Sequence, residues 1–320
     1  MKKTIGNTPM IKIKYKYNNN ENEVYVKLEQ YNLTGSIKDR MVAYIIEEEK
    51  KKGNLKDKMP IIEATSGNTG ISFSSLGAKE NHPVHIFMPD WVSDERKKLM
   101  EALGAKITLI SKEEGGFTKS IELADFLAKK INGYRPNQFS NPLNTMCHYN
   151  TTGVEILKQL KNKEIGGFVS GIGSGGTLMG VGKKLKEVYS NIIIAAIEPD
   201  NMPLLTDKKS NKRHKIEGIG DDFIPDLVDT NLIDKVFVLN DDDAINMARL
   251  ISKKLGLGIG ISSGANFLGA VLLKEYTNKP VVTIFPDDNK KYLSTDLVNK
   301  INLKKEFISN KIKLLDYEEV

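Results

Sequence analysis

Short apolar runs rich in β-branched residues alternate along this chain with stretches of helical periodicity, and this alternation restricts the fold more than any other feature. The runs occupy residues 61–64, 84–88, 106–110, 167–170, 192–197, 235–239 and 281–285. Between two of them, Leu178, Val181 and Leu185 fall on one helical stripe. Buried strands separated by helices predict a layered α/β protein with parallel strands. Ligands of such folds bind beyond the carboxyl ends of the strands.

The composition argues against several classes of function. The 320 residues include 47 Lys and Arg against 41 Asp and Glu, and the basic residues are scattered beside acids, so we expect no nucleic-acid partner. Cys147 is the only cysteine and the four histidines form no zinc motif, so we expect no disulfide, no metal and a buried packing role for Cys147. The basic start is followed by no apolar segment and no run approaches a membrane span, which predicts a cytoplasmic protein without a membrane partner.

A glycine-rich loop joins the run at 167–170 to the helical stretch that begins at Leu178. Its residues are Gly171, Ile172, Gly173, Ser174, Gly175, Gly176 and Thr177. Glycines let the backbone approach a ligand, and N–H groups at a helix start attract anions, so the loop predicts a phosphate site. The loop also matches GxGxxG, with Glu198 ending the next run as a dinucleotide site would require. A dinucleotide site and a plain strand-to-helix turn therefore remain alternatives.

Two further segments help to decide between these alternatives. Residues 32–40 (NLTGSIKDR) place Lys38 just before a predicted helix, among small and turn-forming residues. Residues 63–70 (EATSGNTG) lead from a strand to hydroxyls, an amide and two glycines at another helix start, a cluster suited to a carboxylate. A lysine that bonds to an aldehyde cofactor needs one phosphate cradle and one cradle for the substrate carboxylate. All three pieces are present, which favours such an enzyme.

Several motifs occur in order along nearly the whole chain. They are residues 36–40 (SIKDR), 65–70 (TSGNTG), 138–142 (QFSNP), 173–177 (GSGGT), 217–220 (EGIG), 260–265 (GISSGA) and 292–295 (YLST). Through them the chain resembles the cysteine synthase and cystathionine β-synthase family of fold-type II pyridoxal-phosphate enzymes. The departures are Leu33 in place of a common proline and residues 289–291 (NKK) in place of Gly-Glu-Arg. Neither is expected to touch the cofactor.

The resemblance implies the architecture. It implies two open twisted-sheet α/β domains with helices on both faces, as in tryptophan synthase β-like proteins. Residues 1–34 and 142–320 are expected to form a large cofactor-binding domain, and residues 35–141 a small mobile substrate-binding domain. A homodimer acting on a small amino-acid substrate is also implied.

The resemblance further implies roles for individual residues. Lys38 is expected to bind pyridoxal 5'-phosphate and to take the Cα proton, with burial and nearby cationic groups lowering its pKa. Asn68 is expected to bond the ring hydroxyl, and Ser262, with Ser263 as the alternative, to face the pyridine nitrogen. The phosphate would be held by Gly173, Ser174, Gly175, Gly176 and Thr177. The substrate carboxylate would be held by Thr65, Ser66, Thr69 and Gln138, unless the first three only cap a helix.

Two aspartates follow the motif at 217–220 and distinguish this chain within the family. By resemblance, Asp221 and Asp222 stand where cysteine synthases have small residues and cystathionine β-synthases have Tyr-Asp. A carboxylate near the substrate Cβ can activate water or a thiol, which is worth roughly a hundredfold to ten-thousandfold. The alternative is that both are solvated loop acids.

These residues together predict the reaction. We expect β-elimination or β-replacement on a three-carbon amino acid, favoured as L-cysteine, with release of hydrogen sulfide and addition of water or a thiol to an aminoacrylate. Cysteine synthase acting on O-acetylserine and sulfide is the alternative. An NAD-dependent oxidoreductase and an inactive binding homologue are more remote alternatives.

Overall fold

The computed structural model describes residues 4–207, 213–299 and 301–320. The strands in these ranges are β1 (Met10–Tyr17), β2 (Asn20–Leu28), β3 (Ile61–Ala64), β4 (Val84–Pro89), β5 (Lys106–Ile110), β6 (Gly167–Gly171), β7 (Ile193–Pro199), β8 (Lys235–Leu239), β9 (Val281–Phe285) and β10 (Ile312–Glu319). The α-helices there are α1 (Lys38–Lys51), α2 (Asn68–Lys79), α3 (Asp94–Ala102), α4 (Gly116–Ile131), α5 (Pro142–Asn150), α6 (Thr152–Gln159), α7 (Gly176–Val188), α8 (Asp241–Leu255) and α9 (Ile261–Leu273). Among these helices, none combines the length and the apolar character that crossing a membrane requires.

The strands form two separate sheets. The larger sheet has the order β10-β1-β2-β9-β6-β7-β8, and the smaller has the order β3-β4-β5. From β2 to β8 the neighbours in the larger sheet run parallel, with Tyr25 opposite Val282 and Phe168 opposite Ile194. The smaller sheet is parallel throughout. Every strand predicted from the apolar runs is present, and the predicted α/β class is confirmed.

Helices cover both faces of each sheet because successive strand residues point to opposite sides. In β7, Ala195 belongs to an apolar cluster with residues of α8 and α9, whereas Ile194 belongs to a cluster with residues of α6 and α7. In β3, Ile61 packs with residues of α1, α2 and α3, whereas Ile62 packs with residues of α4. Strands that are buried on both faces read as continuous apolar runs, which is why they are visible in the sequence.

One edge of the larger sheet was not predicted. β1 pairs antiparallel with both β2 and β10. In β1, Ile11, Ile13 and Tyr15 are buried, whereas the lysines between them are partly exposed. This alternation is typical of a strand with one face in the core and one towards solvent. It is a period-two pattern, so a search for continuous apolar runs passes over it.

The two segments predicted to bind a ligand, residues 65–69 and the glycine loop, each follow a strand, and these strands end towards the same region. The segment 65–69 follows β3 of the smaller sheet, and the glycine loop follows β6 of the larger sheet. Pro286 follows β9, which neighbours β6. The carboxyl ends of parallel strands therefore gather the predicted motifs at one place, as expected for an α/β fold.

Candidate active site

A cavity with a volume of about 840 Å³, its open mouth included, is lined by residues that follow strands of both sheets. The predicted site residues that line it are Lys38, Thr65, Ser66, Asn68, Thr69, Gln138, Gly173, Ser174, Gly175, Thr177, Asp221 and Ser262. Gly176 does not line it. This glycine begins α7 against Asn144, whose Oδ1 would lie 2.0 Å from a Cβ at that position. The remaining predicted residues come together in one site although they are far apart in the sequence.

Lys38 is the first residue of α1 and is tied to the end of β9. The Ile37 N–H donates to the Pro286 carbonyl oxygen at 2.9 Å. Burial lowers the pKa of the Lys38 amine. The prediction of nearby cations is wrong, because the charges that act most on Lys38 are those of Asp221 and Asp287, which raise its pKa. Burial outweighs them, so the amine loses its proton more readily, as reaction with an aldehyde requires.

The glycine loop turns from β6 into the start of α7. Gly175 has a φ of +84°, in the left-handed region that favours glycine. A Cβ at Gly173 would lie 2.3 Å from the carbonyl oxygen of Gly218, so the loop backbone packs closely on the neighbouring segment. Within the described ranges, the N–H groups from Gly173 to Thr177 have no acceptor. Unpaired N–H groups at a helix N-terminus are suitable donors for a phosphate.

The second cradle occupies the turn from β3 into α2. Thr69 Oγ1 donates to Gln138 Oε1 at 2.7 Å, and Gln138 Nε2 donates to the Ala64 carbonyl oxygen at 3.2 Å. The Gly67 N–H donates to Thr65 Oγ1 at 3.0 Å. No described side chain caps the N-terminus of α2, so helix capping does not explain this cluster. The first N–H groups of α2 are therefore available to an anionic ligand.

Two adjacent serines occupy the first turn of α9. Ser262 lines the cavity, whereas Ser263 is fully buried away from it, and the Ser263 hydroxyl has no partner among the described residues. The N–H of Gly260, just before this helix, donates to the Asp287 carbonyl oxygen at 3.1 Å. This geometry favours Ser262 over Ser263 as the hydroxyl that meets a ligand.

Of the two neighbouring aspartates, Asp221 lines the cavity, whereas Asp222 is exposed and does not line it. Asp221 also borders a smaller adjoining cavity of about 320 Å³. Burial first, and repulsion from Asp222 second, raise the pKa of Asp221 to about 6, while the charge of Lys38 opposes the rise. A carboxylate with this pKa can accept a proton near neutral pH.

Three charged residues of the site were not predicted to have a role there. Arg96 of α3 and Glu217 both line the cavity and form an ion pair. The Arg96 guanidinium also lies 4.5 Å from the centre of the Tyr292 ring. Asp287 is fully buried and accepts a hydrogen bond from Asn68 Nδ2 at 2.7 Å. Asp287 could have been found as a carboxylate just after a predicted strand, whereas nothing in the sequence singles out Arg96.

Cys147 has the packing role that was predicted for it. It is 1% exposed, and burial raises the pKa of its thiol to about 12, so the reactive thiolate is disfavoured. Its Sγ lies 3.9 Å from Thr151 Oγ1, within the same turn of chain. In the described ranges, no group of three His, Cys, Asp or Glu side chains is placed to hold a metal ion.

Comparison with known proteins gives the family. A sequence model described as "Pyridoxal-phosphate dependent enzyme" matches residues 1–287. Cysteine synthase from Staphylococcus aureus (strain N315) is 41% identical over 299 residues, covering 92% of this chain and 94% of the relative. The crystal structure of a hydrogen sulfide-producing enzyme from Fusobacterium nucleatum has a TM-score of 0.96 and 49% identity, covering 100% of this chain and 98% of that one.

A second structure of that enzyme is a variant with asparagine in place of an aspartate, in complex with an alpha-aminoacrylate intermediate. Its TM-score is 0.96 and its identity 49%, and the match covers 99% of this chain and 97% of that one. These matches extend over both sheets, so the likeness includes the cavity as well as the core.

The cavity fits pyridoxal phosphate by its own features. The unpaired N–H groups from Gly173 to Thr177 suit the phosphate, and the lowered pKa of Lys38 suits the aldehyde. Asn68 Oδ1 is buried without a hydrogen-bond partner among the described residues, which leaves a polar atom for the ring hydroxyl. The predicted cofactor is confirmed, in place of a dinucleotide. The chain belongs to the pyridoxal-phosphate dependent enzyme family and is an enzyme of the cysteine synthase type.

Proposed function

We propose that this enzyme removes the Cβ substituent of a three-carbon amino acid, with L-cysteine as the favoured substrate, and releases hydrogen sulfide. It then adds water or a thiol at the same carbon, which gives L-serine or a thioether. The observation that carries this proposal is the carboxylate of Asp221, which lines the same cavity as Lys38 and has a pKa of about 6. The 49% identical hydrogen sulfide-producing enzyme supports the choice of leaving group.

Lys38 supplies the covalent anchor and the first proton transfer. Its Nζ is the amine that bonds to the cofactor aldehyde. Pyridoxal phosphate, when bound, supplies an electron sink for negative charge at the substrate Cα. When it is not bonded to the cofactor, the Lys38 Nζ would take the Cα proton, because its lowered pKa favours the neutral form.

The substrate carboxylate binds at the start of α2 in this proposal. Hydroxyl and amide groups come from four side chains, Thr65, Ser66, Thr69 and Gln138. The first N–H groups of α2 provide donors with a favourable helix dipole. Thr69 and Gln138 already bond to each other at 2.7 Å. The Thr69 hydroxyl hydrogen is therefore already donated to Gln138, which orients the Gln138 amide, and the first N–H groups of α2 supply donors that are in place before the carboxylate arrives.

Asp221 serves the second half of the reaction. It takes the proton from water or a thiol as that nucleophile bonds to Cβ. With a pKa of about 6, most of Asp221 is ionised at pH 7 and can accept this proton. As the pH falls through 6 the carboxylate becomes protonated, so the addition step is expected to slow.

We also propose the domain division stated from the sequence, with residues 35–141 as a small mobile domain and residues 1–34 and 142–320 as the large one. The smaller sheet and the cradle at 65–69 lie within 35–141, which supports it. Closure of this domain would exclude water from the site. Crystals with and without bound amino acid should differ in the separation of Thr69 and Gly175, and an unchanged separation would contradict closure. The homodimer and the cytoplasmic location stay predictions, to be checked by light scattering and cell fractionation.

Cysteine synthase activity is the second candidate. It is favoured by the 41% identical cysteine synthase, of which the match covers 94%. In that reaction O-acetylserine loses acetate and sulfide adds at Cβ. The same Lys38 and carboxylate cradle would serve it, and Asp221 would have no necessary role.

Product analysis distinguishes the two candidates. Purified, cofactor-loaded enzyme receives L-cysteine, L-serine or O-acetylserine separately, with and without sulfide or homocysteine. Release of sulfide from cysteine alone, with formation of serine, would support the proposal. Formation of cysteine from O-acetylserine and sulfide, without sulfide release from cysteine, would support a cysteine synthase instead.

A further inference from the structure

Asp287 follows Pro286, which lines the cavity, and it joins groups from both sheets. It follows β9 of the larger sheet and is fully buried. Its Oδ2 accepts hydrogen bonds from Asn68 Nδ2 at 2.7 Å and from Tyr292 Oη at 2.6 Å. Asn68 begins α2, which packs on the smaller sheet, so this carboxylate bridges the two sheets beside the cavity.

The backbone of Asp287 is fixed between two helix starts that carry site residues. It forms an antiparallel bridge with Ser36, two residues before Lys38. Its carbonyl oxygen accepts from the Gly260 N–H at 3.1 Å, two residues before Ser262. A Cβ at Gly260 would lie 2.0 Å from Asp287 Oδ1, so the carboxylate is closely packed there. Its position is therefore set by the same elements that carry the lysine and the serine.

The carboxylate determines which way the amide of Asn68 is turned. Asp287 Oδ2 accepts from both Tyr292 Oη and Asn68 Nδ2, so Asn68 turns its amide nitrogen, and not its amide oxygen, towards Asp287. The amide oxygen of Asn68 is then on the other side, buried and without a partner among the described residues. Asn68 lines the cavity, and its orientation there follows from the charge behind it.

The same charge acts on Lys38. Asp287 and Asp221 raise the pKa of Lys38, and burial lowers it. Burial first, and then the charges of Arg40 and Lys38, lower the pKa of His148 in α5. Asp221, with a pKa of about 6, already has the role of base in the proposed addition step. Asp287 has no role in the proposed steps.

We infer that Asp287 is a positioning residue for the reaction, which fixes the amide of Asn68 towards the cofactor and whose negative charge acts on the Lys38 amine. This inference rests on the role of Lys38 in the proposed function. A purely structural residue would hold the segments together without setting either property. The two properties can be measured separately.

The first test measures Lys38 in the apoprotein. An amine-directed acylating reagent is applied across a pH range, and labelling of Lys38 is quantified by peptide mass spectrometry. Asp287→Asn removes the charge at nearly constant volume, so below the midpoint Lys38 should label about tenfold faster, because more of it is neutral. At high pH the two rates should converge. Tyr292→Phe is the matched control, because it removes the other hydrogen bond to Oδ2 and keeps the charge, and its profile should match that of the wild type.

A loosened site would label faster at every pH, and an unchanged profile would show that the charge has no effect, so either result would overturn the inference. Asp287→Ser, which is also uncharged, is the second test variant if Asp287→Asn does not fold. Borohydride reduction of the holoenzyme is run in parallel. Attachment of the cofactor to another lysine would refute the proposed function, and this outcome is distinct from an unchanged labelling profile of Lys38 in Asp287→Asn.

The second test measures the orientation of Asn68. Binding of pyridoxal phosphate to apoprotein is measured for Asp287→Asn, Asn68→Ala and the double variant. We expect Asp287→Asn to weaken binding about tenfold in the wild-type background and to have little further effect in Asn68→Ala. Simple additivity of the two losses would overturn this part of the inference.

Discussion

Replacement of Asp221 by asparagine tests the proposed second half of the reaction. The substitution keeps the size of the side chain but leaves an amide that cannot take up the proton of water or a thiol. The first half, in which cysteine loses hydrogen sulfide, depends on Lys38 and should continue. We therefore expect Asp221→Asn to release about one sulfide per active site in a burst and then to turn over slowly.

The usual contribution of a general base sets the expected size of this effect, and the pKa of Asp221 sets its pH dependence. A general base is typically worth at least about a hundredfold, which corresponds to roughly 2.7 kcal/mol of transition-state stabilisation. Because the pKa of Asp221 is about 6, the wild-type steady-state rate should fall about tenfold per pH unit below pH 6. In Asp221→Asn the addition step should lose this dependence, since the titrating group is gone.

Stopped-flow absorbance and sulfide detection after mixing with L-cysteine measure both phases. Asp222→Asn is the matched control, because Asp222 is exposed and does not line the cavity. In that variant the repulsion that helps to raise the pKa of Asp221 is lost, so the acid limb should move to lower pH while the fast steady state remains. If Asp221→Asn showed an unchanged second phase, Asp221 would be only a loop acid and cysteine synthase would become the better description.

Two further predictions concern the cofactor site. Borohydride reduction and peptide mapping should find the cofactor on Lys38, and Lys38→Ala should give a protein without covalent cofactor; a label on any other lysine would contradict the assignment. Gly175→Ala should lower the free energy of unfolding by about 1–2 kcal/mol because the backbone at this position is left-handed. A clash should add to this loss, because the new Cβ would lie 2.7 Å from Val228 Cγ2. Gly256→Ala is its control, with a φ of +70° and nothing within 4 Å of the added Cβ, so equal losses in denaturant unfolding would refute the effect of the clash.

The sequence allowed the fold class and the parallel strands to be predicted, for a physical reason. Four strands begin and end at the predicted residues, namely β3, β5, β8 and β9. Strands inside a layered fold are buried on both faces, so they consist of short apolar runs between helices. β1, β2 and β10 were missed. In β1 the buried residues alternate with lysines, β2 is buried only over residues 24–28, and in β10 only Ile312 is buried. Only pairing with a distant partner shows that such segments belong to the sheet.

The site was predictable where its chemistry lies within a few neighbouring residues. The lysine, the glycine loop and the carboxylate cradle are local motifs, and all three line the cavity. The hydrogen bond between Asn68 and Asp287 joins residues 219 positions apart, and the ion pair of Arg96 with Glu217 joins α3 to another distant loop. Such contacts depend on how the two sheets meet. The same limit explains why cations were expected beside Lys38 where the structure has aspartates.

The pairing of β1 with β10 also bears on how the protein is made. Ile11 lies opposite Glu319, and β2 lies beside β9, so the larger sheet joins segments that are synthesised early with segments that are synthesised much later. The smaller sheet needs only residues 61–110. Since domains form as their strands emerge and distant pairings are slow, we expect the smaller sheet to assemble during synthesis and β2 to wait for β9. The alternating lysines of β1 would protect its open edge from aggregation meanwhile, and the cofactor would enter only after that final strand pairing.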